Sequence, residues 1–177
     1  MMSRGEAVGP CNYTDVLESI SQLSIVINSV RADPYPRVGD DESYSMEISA
    51  GNGPLLTAAT VWGALRGLET FTQLLITDTT DTTPYLFIPA STVIISDAPR
   101  WTHRGLMIDT GRAFLPLNTI FAALDAMSYV KLNVLHWHIS DDESFPMDSA
   151  TFPRITKGAF QAPSRSHTYR YSDLSQY

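Results

Sequence analysis

The sequence predicts an α+β unit with one main helix on a small sheet, over residues 16–98, followed by a strand–helix–strand unit over residues 99–177. Three observations lead to this prediction. The first part contains short β-branched runs between turns, it also contains apolar residues at helical spacing, and the second part has two unbroken apolar runs flanking another helical pattern. Residues 1–15 are predicted to be unstructured. A chain of 177 residues accommodates one domain, or a small domain and part of another.

Four segments of the first part are typical of strands. Ser24–Ser29 is a β-branched run, and Tyr44–Ser49 alternates polar and apolar residues. Leu86–Pro89 and Thr92–Ser96 add two more apolar runs around a short break. The glycines and the proline of Ala50–Pro54 predict a turn.

The main helix is predicted from Thr57 to about Leu75. Apolar residues recur there at intervals of three and four residues, at Val61, Leu65, Leu68, Phe71 and Leu75. Such spacing places them on one face of a helix, which is normally the buried face. We therefore interpret Trp62, Leu65 and Leu68 as core residues and not as a ligand stripe.

The second part begins after Asp97–Trp101, where the pattern changes character. Gly105–Ile108 is predicted to be a strand covered on both faces, as in a parallel sheet. The helix predicted over Pro116–Tyr129 has its proline near the start and Asn118 as a possible N-cap. Leu132–Ile139 is the next buried strand. A helix linking two such strands implies a right-handed βαβ unit, which builds barrels and doubly wound sheets.

Composition and charge exclude several classes of function. Twelve Lys and Arg stand against nineteen Asp and Glu, and the net charge of −7 repels nucleic acid and anionic lipid surfaces. No run approaches the roughly 20 apolar residues that a spanning helix needs. No phosphate-binding loop, dinucleotide fingerprint or nucleophile elbow occurs, so no cofactor is expected. The prediction is a folded globular protein without nucleic-acid or membrane partners.

The amino-terminal residues carry no targeting signal that we recognise. Met1–Glu6 lacks an apolar run, so we expect no signal peptide. Asn12–Thr14 fits the pattern of a glycosylation site. The single Cys11 excludes a disulfide within the chain, and it has no neighbouring base to activate it.

Both strands of the second part end in polar clusters, Asp109–Arg112 and Ser140–Glu143. Functional groups gather at the carboxyl ends of parallel strands. Arg112 would donate to a sugar diol in a fork while Asp141 accepts from the same diol. The alternative, equally compatible with the spacing, is a structural ion pair with aspartates that cap a helix.

The segment His136-Trp137-His138 puts two imidazoles on one face of a strand. One hypothesis is a metal-dependent barrel hydrolase, with Asp141 or Asp142 completing the ligand shell. The favoured hypothesis is a pair of buried, hydrogen-bonded histidines, and an indirect catalytic role is the third. No further His or Cys lies nearby in the sequence, so we predict no metal site.

Long segments of the chain resemble the β-N-acetylhexosaminidases of glycoside hydrolase family 20, and the eukaryotic lysosomal or secreted enzymes most of all. The segments that carry the resemblance are Val61–Phe71, Arg104–Arg112, Leu115–Pro116, Leu124–Met127, Lys131–Asp142 and Ser144–Pro146. The resemblance covers residues 16–177. It implies that 16–98 form the family's small N-terminal α/β domain and that 99–177 begin its (β/α)8 TIM barrel. A complete barrel takes about 250 residues, so the barrel is incomplete in this chain.

The resemblance also implies roles for single residues. Arg112 matches the arginine that binds the hydroxyls of the terminal N-acetylhexosamine, and Asp141 matches an aspartate of the surrounding polar network. Supporting roles are implied for Asp142, His136 and His138. Relatives often have serine and histidine where this chain has Gly111 and Ala113.

The implied reaction is the hydrolysis of terminal non-reducing N-acetyl-D-hexosamine from glycoconjugates. It is retaining and substrate-assisted, through an oxazolinium intermediate. The resemblance places the catalytic Asp-Glu pair on the fourth barrel strand, downstream of Tyr177, and the chain alone is therefore expected to be inactive. No cofactor or metal takes part.

The implied partners are N-acetylhexosamine-terminated glycans and a second hexosaminidase subunit, in a homodimer or heterodimer. The implied location is lysosomal or secreted. An alternative function is that of a non-catalytic short isoform that binds glycan or pairs with a full-length subunit.

Overall fold

A computed structural model describes residues 20, 22–29, 35–49, 52–78, 85–159, 161–162 and 165–174. The chain forms two compact units, Met1–Thr102 and His103–Tyr177. The predictions for residues 1–15, Cys11 and the Asn12 sequon lie outside the described residues. Among the residues described, no helix is both long and apolar enough to cross a membrane.

The first unit contains a four-stranded sheet and one long helix. Its elements in chain order are β1 (Ser24–Ile27), β2 (Tyr44–Ser49), β3 (Asn52–Ala58), α1 (Val61–Leu74), β4 (Ile76–Asp78), β5 (Tyr85–Phe87) and β6 (Thr92–Asp97). The sheet has the order β1-β3-β2-β6, in which β1 and β3 are parallel and the other pairs antiparallel. β4 and β5 form a separate antiparallel pair.

The alternating sequence of β2 creates the core of this unit. Tyr44, Met46 and Ile48 are buried on one face, whereas Ser45 and Glu47 are exposed on the other. Successive side chains of a strand point to opposite faces, so a period of two buries one set only. The buried set packs with residues of β3 and α1 in a single cluster, which also contains Leu56, Ala58, Ala64 and Ile88.

Small residues bring α1 close to the sheet. The helix begins after Thr60, whose hydroxyl accepts a hydrogen bond of 3.2 Å from the Gly63 amide and so satisfies one free donor. A β-carbon at Gly63 would overlap the Ser43 carbonyl oxygen, and one at Gly67 would overlap the Leu56 side chain. Both glycines are buried. The helix backbone lies so close to its neighbours at these positions that only a residue without a side chain fits.

Two predictions for this unit are wrong. Of the segment predicted as a turn and the start of a helix, residues 50 and 51 lie outside the described residues and Asn52–Ala58 is strand β3. Leu56 and Ala58 are buried there, with the half-buried Thr57 between them, and pair with β2. The helix therefore begins at Val61, four residues after Thr57. Val61 and Leu65 are 46% and 49% exposed, so Leu65 is not a core residue. The glycines lie where the helix approaches the sheet, and Leu68, Phe71 and Leu75 pack against the core as predicted.

The second unit contains the predicted strand–helix–strand. Its elements are β7 (Gly105–Asp109), α2 (Leu117–Tyr129), β8 (Val134–His138), a 3-10 helix (Ile155–Gly158), β9 (Gln161–Ala162), β10 (Arg165–Ser166) and α3 (Tyr171–Leu174). β7 and β8 pair in parallel and form a two-stranded sheet. The parallel pairing across α2 confirms the βαβ prediction.

The burial predicted for this unit is only partly present. Leu106 and Met107 are 40% and 55% exposed, so the prediction that β7 is covered on both faces is wrong. The cause is that a two-stranded sheet with one long helix offers too little surface to cover both faces. β8 is likewise half-buried, not buried. The helix begins at Leu117 after Pro116 without a side-chain cap, so Asn118 is not the N-cap.

Candidate functional site

The carboxyl ends of β7 and β8 lie side by side. Asp109 is the register partner of His138 at the end of the parallel pair. Beyond it, the amides of Thr110 and Gly111 both donate to the His138 carbonyl oxygen, at 2.9 and 3.4 Å. The two polar clusters predicted from the sequence therefore leave the sheet at one rim, as parallel strands require.

Arg112 lies between two carboxylates at this rim. Its Nε donates to Asp109 Oδ2 at 2.5 Å, and one Nη pairs with the same oxygen. Nε also lies 3.4 Å from Asp141 Oδ2. The structure thus brings together the two residues predicted to bind substrate, Arg112 and Asp141. The Arg112 side chain remains 59% exposed, so the guanidinium keeps donors that face solvent.

Asp109 is the residue of this group that the sequence reasoning left without a role. Its Oδ1 accepts from the amides of Gly111 and Arg112, at 3.1 and 3.2 Å, while Oδ2 holds the guanidinium. One carboxylate therefore fixes both the backbone and the side chain of Arg112. The signal available in the sequence was an acidic residue at the end of a strand, three positions before an arginine.

The charges of the site shift the pKa values of its acids and its base. The hydrogen bond with Arg112 lowers the pKa of Asp109, and the same contact raises the pKa of Arg112. The pKa of Asp141 is lowered first by the hydrogen bond from the Asp142 amide, and also by His138 and Arg112. Both aspartates are therefore ionised at neutral and mildly acidic pH.

Asp141 stands in a tight turn and does not start a helix. Its amide donates to the Ser144 carbonyl at 2.8 Å, and the Ser144 amide donates back to the Asp141 carbonyl at 3.2 Å. The Asp142 amide donates to Asp141 Oδ1 at 2.8 Å. This geometry removes the helix-capping alternative for Asp141 and leaves Oδ2 facing Arg112. Asp142 is exposed on the turn, and its own amide is what orients Asp141.

The two histidines of β8 have different environments. His138 Nε2 lies 3.5 Å from Asp141 Oδ2, which makes His138 a neighbour of the site. This nitrogen has no hydrogen-bond partner among the described residues and the side chain is 35% exposed, so the prediction of a buried, hydrogen-bonded histidine is wrong for His138. His136 is exposed, so the prediction of a buried histidine is wrong there as well. Within the described residues, no group of three or more His, Cys, Asp or Glu side chains is arranged to hold a metal ion.

The residue between them, Trp137, joins the two strand ends. Its Nε1 donates to Thr110 Oγ1 at 2.7 Å, and the Thr110 hydroxyl lies 3.4 Å from the Ile139 carbonyl oxygen, to which it donates. Thr110 is almost completely buried. A buried hydroxyl with both a donor and an acceptor partner costs little to bury and fixes the local geometry.

The arrangement is suited to a neutral ligand that carries hydroxyl groups. The guanidinium of Arg112 supplies planar donors, and Asp141 supplies an acceptor beside them. Asp109, Asp141, Asp142 and Glu143 provide four negative charges against one positive charge, an excess that disfavours an anionic ligand. A vicinal diol can accept from Arg112 and donate to Asp141 at the same time.

Comparisons with known proteins agree on one family. Residues 101–176 match the family model of the glycosyl hydrolase family 20 catalytic domain, and residues 7–74 match the model described as beta-acetyl hexosaminidase like. The chain is 46% identical over 168 residues to beta-hexosaminidase subunit beta of Rattus norvegicus. That match covers 94% of this chain and 29% of the relative.

Solved structures are also similar. The chitobiase of Flavobacterium johnsoniae superposes with a TM-score of 0.63 and 36% identity, over 77% of this chain and 19% of that one. The family 20 beta-N-acetylhexosaminidase of Streptomyces coelicolor gives a TM-score of 0.64 and 26% identity, over 89% of this chain and 31% of that one. The chain thus spans about three tenths of the curated relative it matches. It belongs to the β-N-acetylhexosaminidases of glycoside hydrolase family 20.

Proposed function

We propose that this chain carries the hydroxyl-binding part of a β-N-acetylhexosaminidase, which hydrolyses terminal non-reducing N-acetyl-D-hexosamine from glycoconjugates. One observation carries the proposal: Arg112 is held between Asp109 and Asp141 at the ends of two adjacent parallel strands. The rim of a parallel sheet is where barrel enzymes bind their substrates.

The contacts of each group indicate what it offers to a sugar. Asp109 is occupied by Arg112 and two amides, so it positions the guanidinium and does not bind substrate itself. The exposed part of Arg112 donates to adjacent hydroxyls. Asp141 Oδ2 lies beside it as the acceptor. His138 and Asp142 support Asp141, one through its ring nitrogen and the other through its amide.

In the proposed reaction, the acetamido carbonyl oxygen of the sugar attacks the anomeric carbon while a general acid protonates the leaving glycosidic oxygen. The resulting oxazolinium ion is then opened by water. Arg112 and Asp141 hold the ring so that the acetamido group stays in line with the bond that breaks. No nucleophile from the protein is required.

The Asp-Glu pair of this reaction is assigned by family resemblance to the fourth barrel strand. β7 and β8 are the two parallel barrel strands among the described residues. We therefore propose that the 177-residue chain binds the sugar but does not hydrolyse it. Release of the chromophore from a chromogenic N-acetyl-β-glucosaminide by the purified chain would contradict this part of the proposal.

The binding role is tested by titrating the chain with N-acetylglucosamine and following by NMR the backbone amide signals of Gly111 and Asp142, which are present in every variant. Arg112→Ala removes charge-assisted hydrogen bonds to the sugar and is expected to weaken binding by about 10- to 150-fold. Arg154→Ala is the matched control, since Arg154 is also exposed and belongs to the same unit. Equal affinity of the two variants would refute the role of Arg112.

The exposed apolar residues of β7 favour a second candidate, in which the chain pairs with a longer hexosaminidase subunit without catalysis of its own. Leu106 and Met107 are 40% and 55% exposed, and β7 and β8 each pair on one side only in the described sheet. Unpaired strand edges attract further strands. Isolation of the native polypeptide with an antibody against residues 104–142 distinguishes the candidates, because co-purification of a separate longer chain indicates pairing.

The same native material tests partners and location. We propose a homodimer or heterodimer of hexosaminidase subunits, in a lysosomal or secreted compartment, on the strength of the family alone. The relative from Rattus norvegicus is itself described as a subunit. Sedimentation of the native polypeptide and its distribution among cell fractions are the measurements that check both statements.

A further inference from the structure

The loop that carries Arg112 has no regular secondary structure between β7 and α2. Its first end is fixed by Asp109, through two backbone amides and the guanidinium. A loop held at one end only would leave Arg112 free to move, since exposed loop residues lose little by changing conformation. The contacts at the other end therefore decide how well the guanidinium is placed.

A buried tyrosine, Tyr169, contacts that other end, where His167 also stacks on Phe114 at 4.4 Å. The Tyr169 hydroxyl donates to the Leu115 carbonyl oxygen at 2.6 Å and accepts from the Leu115 amide at 3.2 Å. Leu115 lies three residues after Arg112. Tyr169 has no exposed surface, although it comes more than 50 residues later in the sequence.

Ring contacts tie Tyr169 to both strand ends. Phe114, on the Arg112 loop, stacks on the Tyr169 ring at 4.8 Å with an interplanar angle of 22°. Trp137 of β8 meets the same ring edge to face, at 5.0 Å and 78°. Trp137 in turn donates to Thr110 at the beginning of the loop. Tyr169 thus contacts the loop directly and reaches its first residues through Trp137.

The backbone of Tyr169 is itself fixed by the segment that follows the Asp141 turn. The Tyr169 amide donates to the Pro146 carbonyl at 2.6 Å, and the Asp148 amide donates to the Tyr169 carbonyl at 2.9 Å. Burial raises the pKa of Tyr169, so the phenol keeps the proton that it donates to Leu115. The residue is a rigid connection between the loop that carries Arg112 and the chain that carries Asp141.

We infer that Tyr169 is a positioning residue of the sugar site, which sets the place of Arg112 through Leu115 and Phe114 and does not touch the sugar. This inference deepens the proposed function and rests on it for the identity of the ligand. Two hydrogen bonds to Leu115 and two ring contacts carry this inference, and all of them lie within the second unit.

The test replaces the hydroxyl and keeps the ring, in Tyr169→Phe of the full 177-residue chain. The variant loses both hydrogen bonds with Leu115, and each of them corresponds to about a threefold to tenfold effect. We expect exchange of the Leu115 amide to accelerate by about that factor, the NMR order parameter of Arg112 Nε to fall, and the affinity for N-acetylglucosamine to drop by a similar factor.

Tyr44→Phe is the matched control. Tyr44 is also buried, and its hydroxyl donates to Asp97 at 2.8 Å and accepts from Thr70 at 2.6 Å, in the first unit. This variant loses comparable contacts and is expected to leave the Arg112 order parameter and the sugar affinity unchanged. A faster Leu115 exchange in Tyr169→Phe with an unchanged Arg112 order parameter would overturn the inference, because Tyr169 would then be structural only.

A second variant covers the case in which Tyr169→Phe does not fold. Phe114→Leu removes the stacked ring from the loop side and keeps the hydroxyl, and the same loss of order at Arg112 is expected. An unchanged Arg112 order parameter there refutes the inference. If the unmodified chain does not bind N-acetylglucosamine at all, the proposed function fails, whereas the order parameters still decide the positioning role.

Discussion

The two long helices of this chain pack on their sheets in different ways. α1 has a side-chain cap at Thr60, lies on a four-stranded sheet and buries Gly63 and Gly67 at close range. α2 has no side-chain cap, accompanies a two-stranded sheet and buries only Ile120 and Met127. Among the described residues, the buried apolar side chains of the first unit therefore form one cluster, whereas the second unit buries fewer of them.

The site lies in the unit with the weaker core, and other contacts give it order. Hydrogen bonds accepted by Asp109 and Thr110, and one donated by Tyr169, hold the loop and the strand ends. Polar networks of this kind specify one geometry when each member has its partner. The difference teaches that packing stabilises the first unit and that directional contacts place the candidate site residues of the second.

The largest expected effect on stability is the loss of a buried methionine in the first unit, compared with the loss of an exposed methionine in the second. Met46 is 1% exposed, so Met46→Ala is expected to cost about 2–5 kcal/mol of the free energy of unfolding. Met107 is 55% exposed, so Met107→Ala is expected to change it by about 0.5 kcal/mol or less. Urea unfolding followed by circular dichroism measures the free energy of unfolding of both variants. Equal losses of this free energy would contradict the difference in burial between the two units.

A second prediction concerns the close approach of α1. Gly63→Ala places a β-carbon against the Ser43 backbone, which cannot move aside cheaply, and is expected to cost about 1–3 kcal/mol. At Gly53 the nearest atom to a β-carbon is the Gln22 carbonyl oxygen at 3.4 Å, an ordinary contact. Gly53→Ala is therefore the control. Similar melting temperatures for the two variants would show that the helix does not need the glycine.

Gly111, at the candidate site, is also too close to its neighbours to accept a side chain. A β-carbon there would lie 2.9 Å from the Ser140 carbonyl carbon and 3.0 Å from the Asp141 amide nitrogen. Gly111→Ala is expected to push Arg112 away from Asp141 and to weaken N-acetylglucosamine binding by about threefold to tenfold, the worth of one hydrogen bond.

Gly158→Ala is the control for this third variant, because nothing lies within 4 Å of a β-carbon at Gly158 in the same unit. The affinity is measured by NMR titration. Identical affinities for the two variants would show that the loop absorbs the extra carbon without moving Arg112.

The smallest expected effect is the change in stability of the site with pH. The pKa values of Asp109 and Asp141 are lower in the folded chain than the ordinary value, which is about 3.9 in an unfolded chain. Their contribution to stability is therefore fully present above about pH 4 and is lost as the pH falls through the folded values. The Arg112 Nε–H signal is expected to stay constant from pH 7 to pH 4.5. A midpoint of its change above pH 5 would contradict the assignment of these carboxylates as its partners.

The sequence predicted the family, the parallel strand–helix–strand of the second unit, and the proximity of Arg112 and Asp141. Unbroken apolar runs and polar residues at strand ends are local signals, and they survive in any context that keeps the strands parallel. The strand β3 was missed, because Gly53 and Pro54 are typical of turns, and only pairing with β2 and β1 makes the segment extended.

The sequence by itself determined which residue types stand at the rim, since strand alternation and the length of the linking helix put Arg112 and Asp141 at the same end. Only the tertiary structure decided which neighbours hold them. Tyr169 is far from Leu115 along the chain. The helix α1 approaches the sheet at Gly63 and Gly67, and of the predicted apolar face Leu68, Phe71 and Leu75 pack against the core whereas Val61 and Leu65 are exposed. The physical reason is that close approach and long-range hydrogen bonds depend on the spatial distance between segments, which a one-dimensional pattern does not contain.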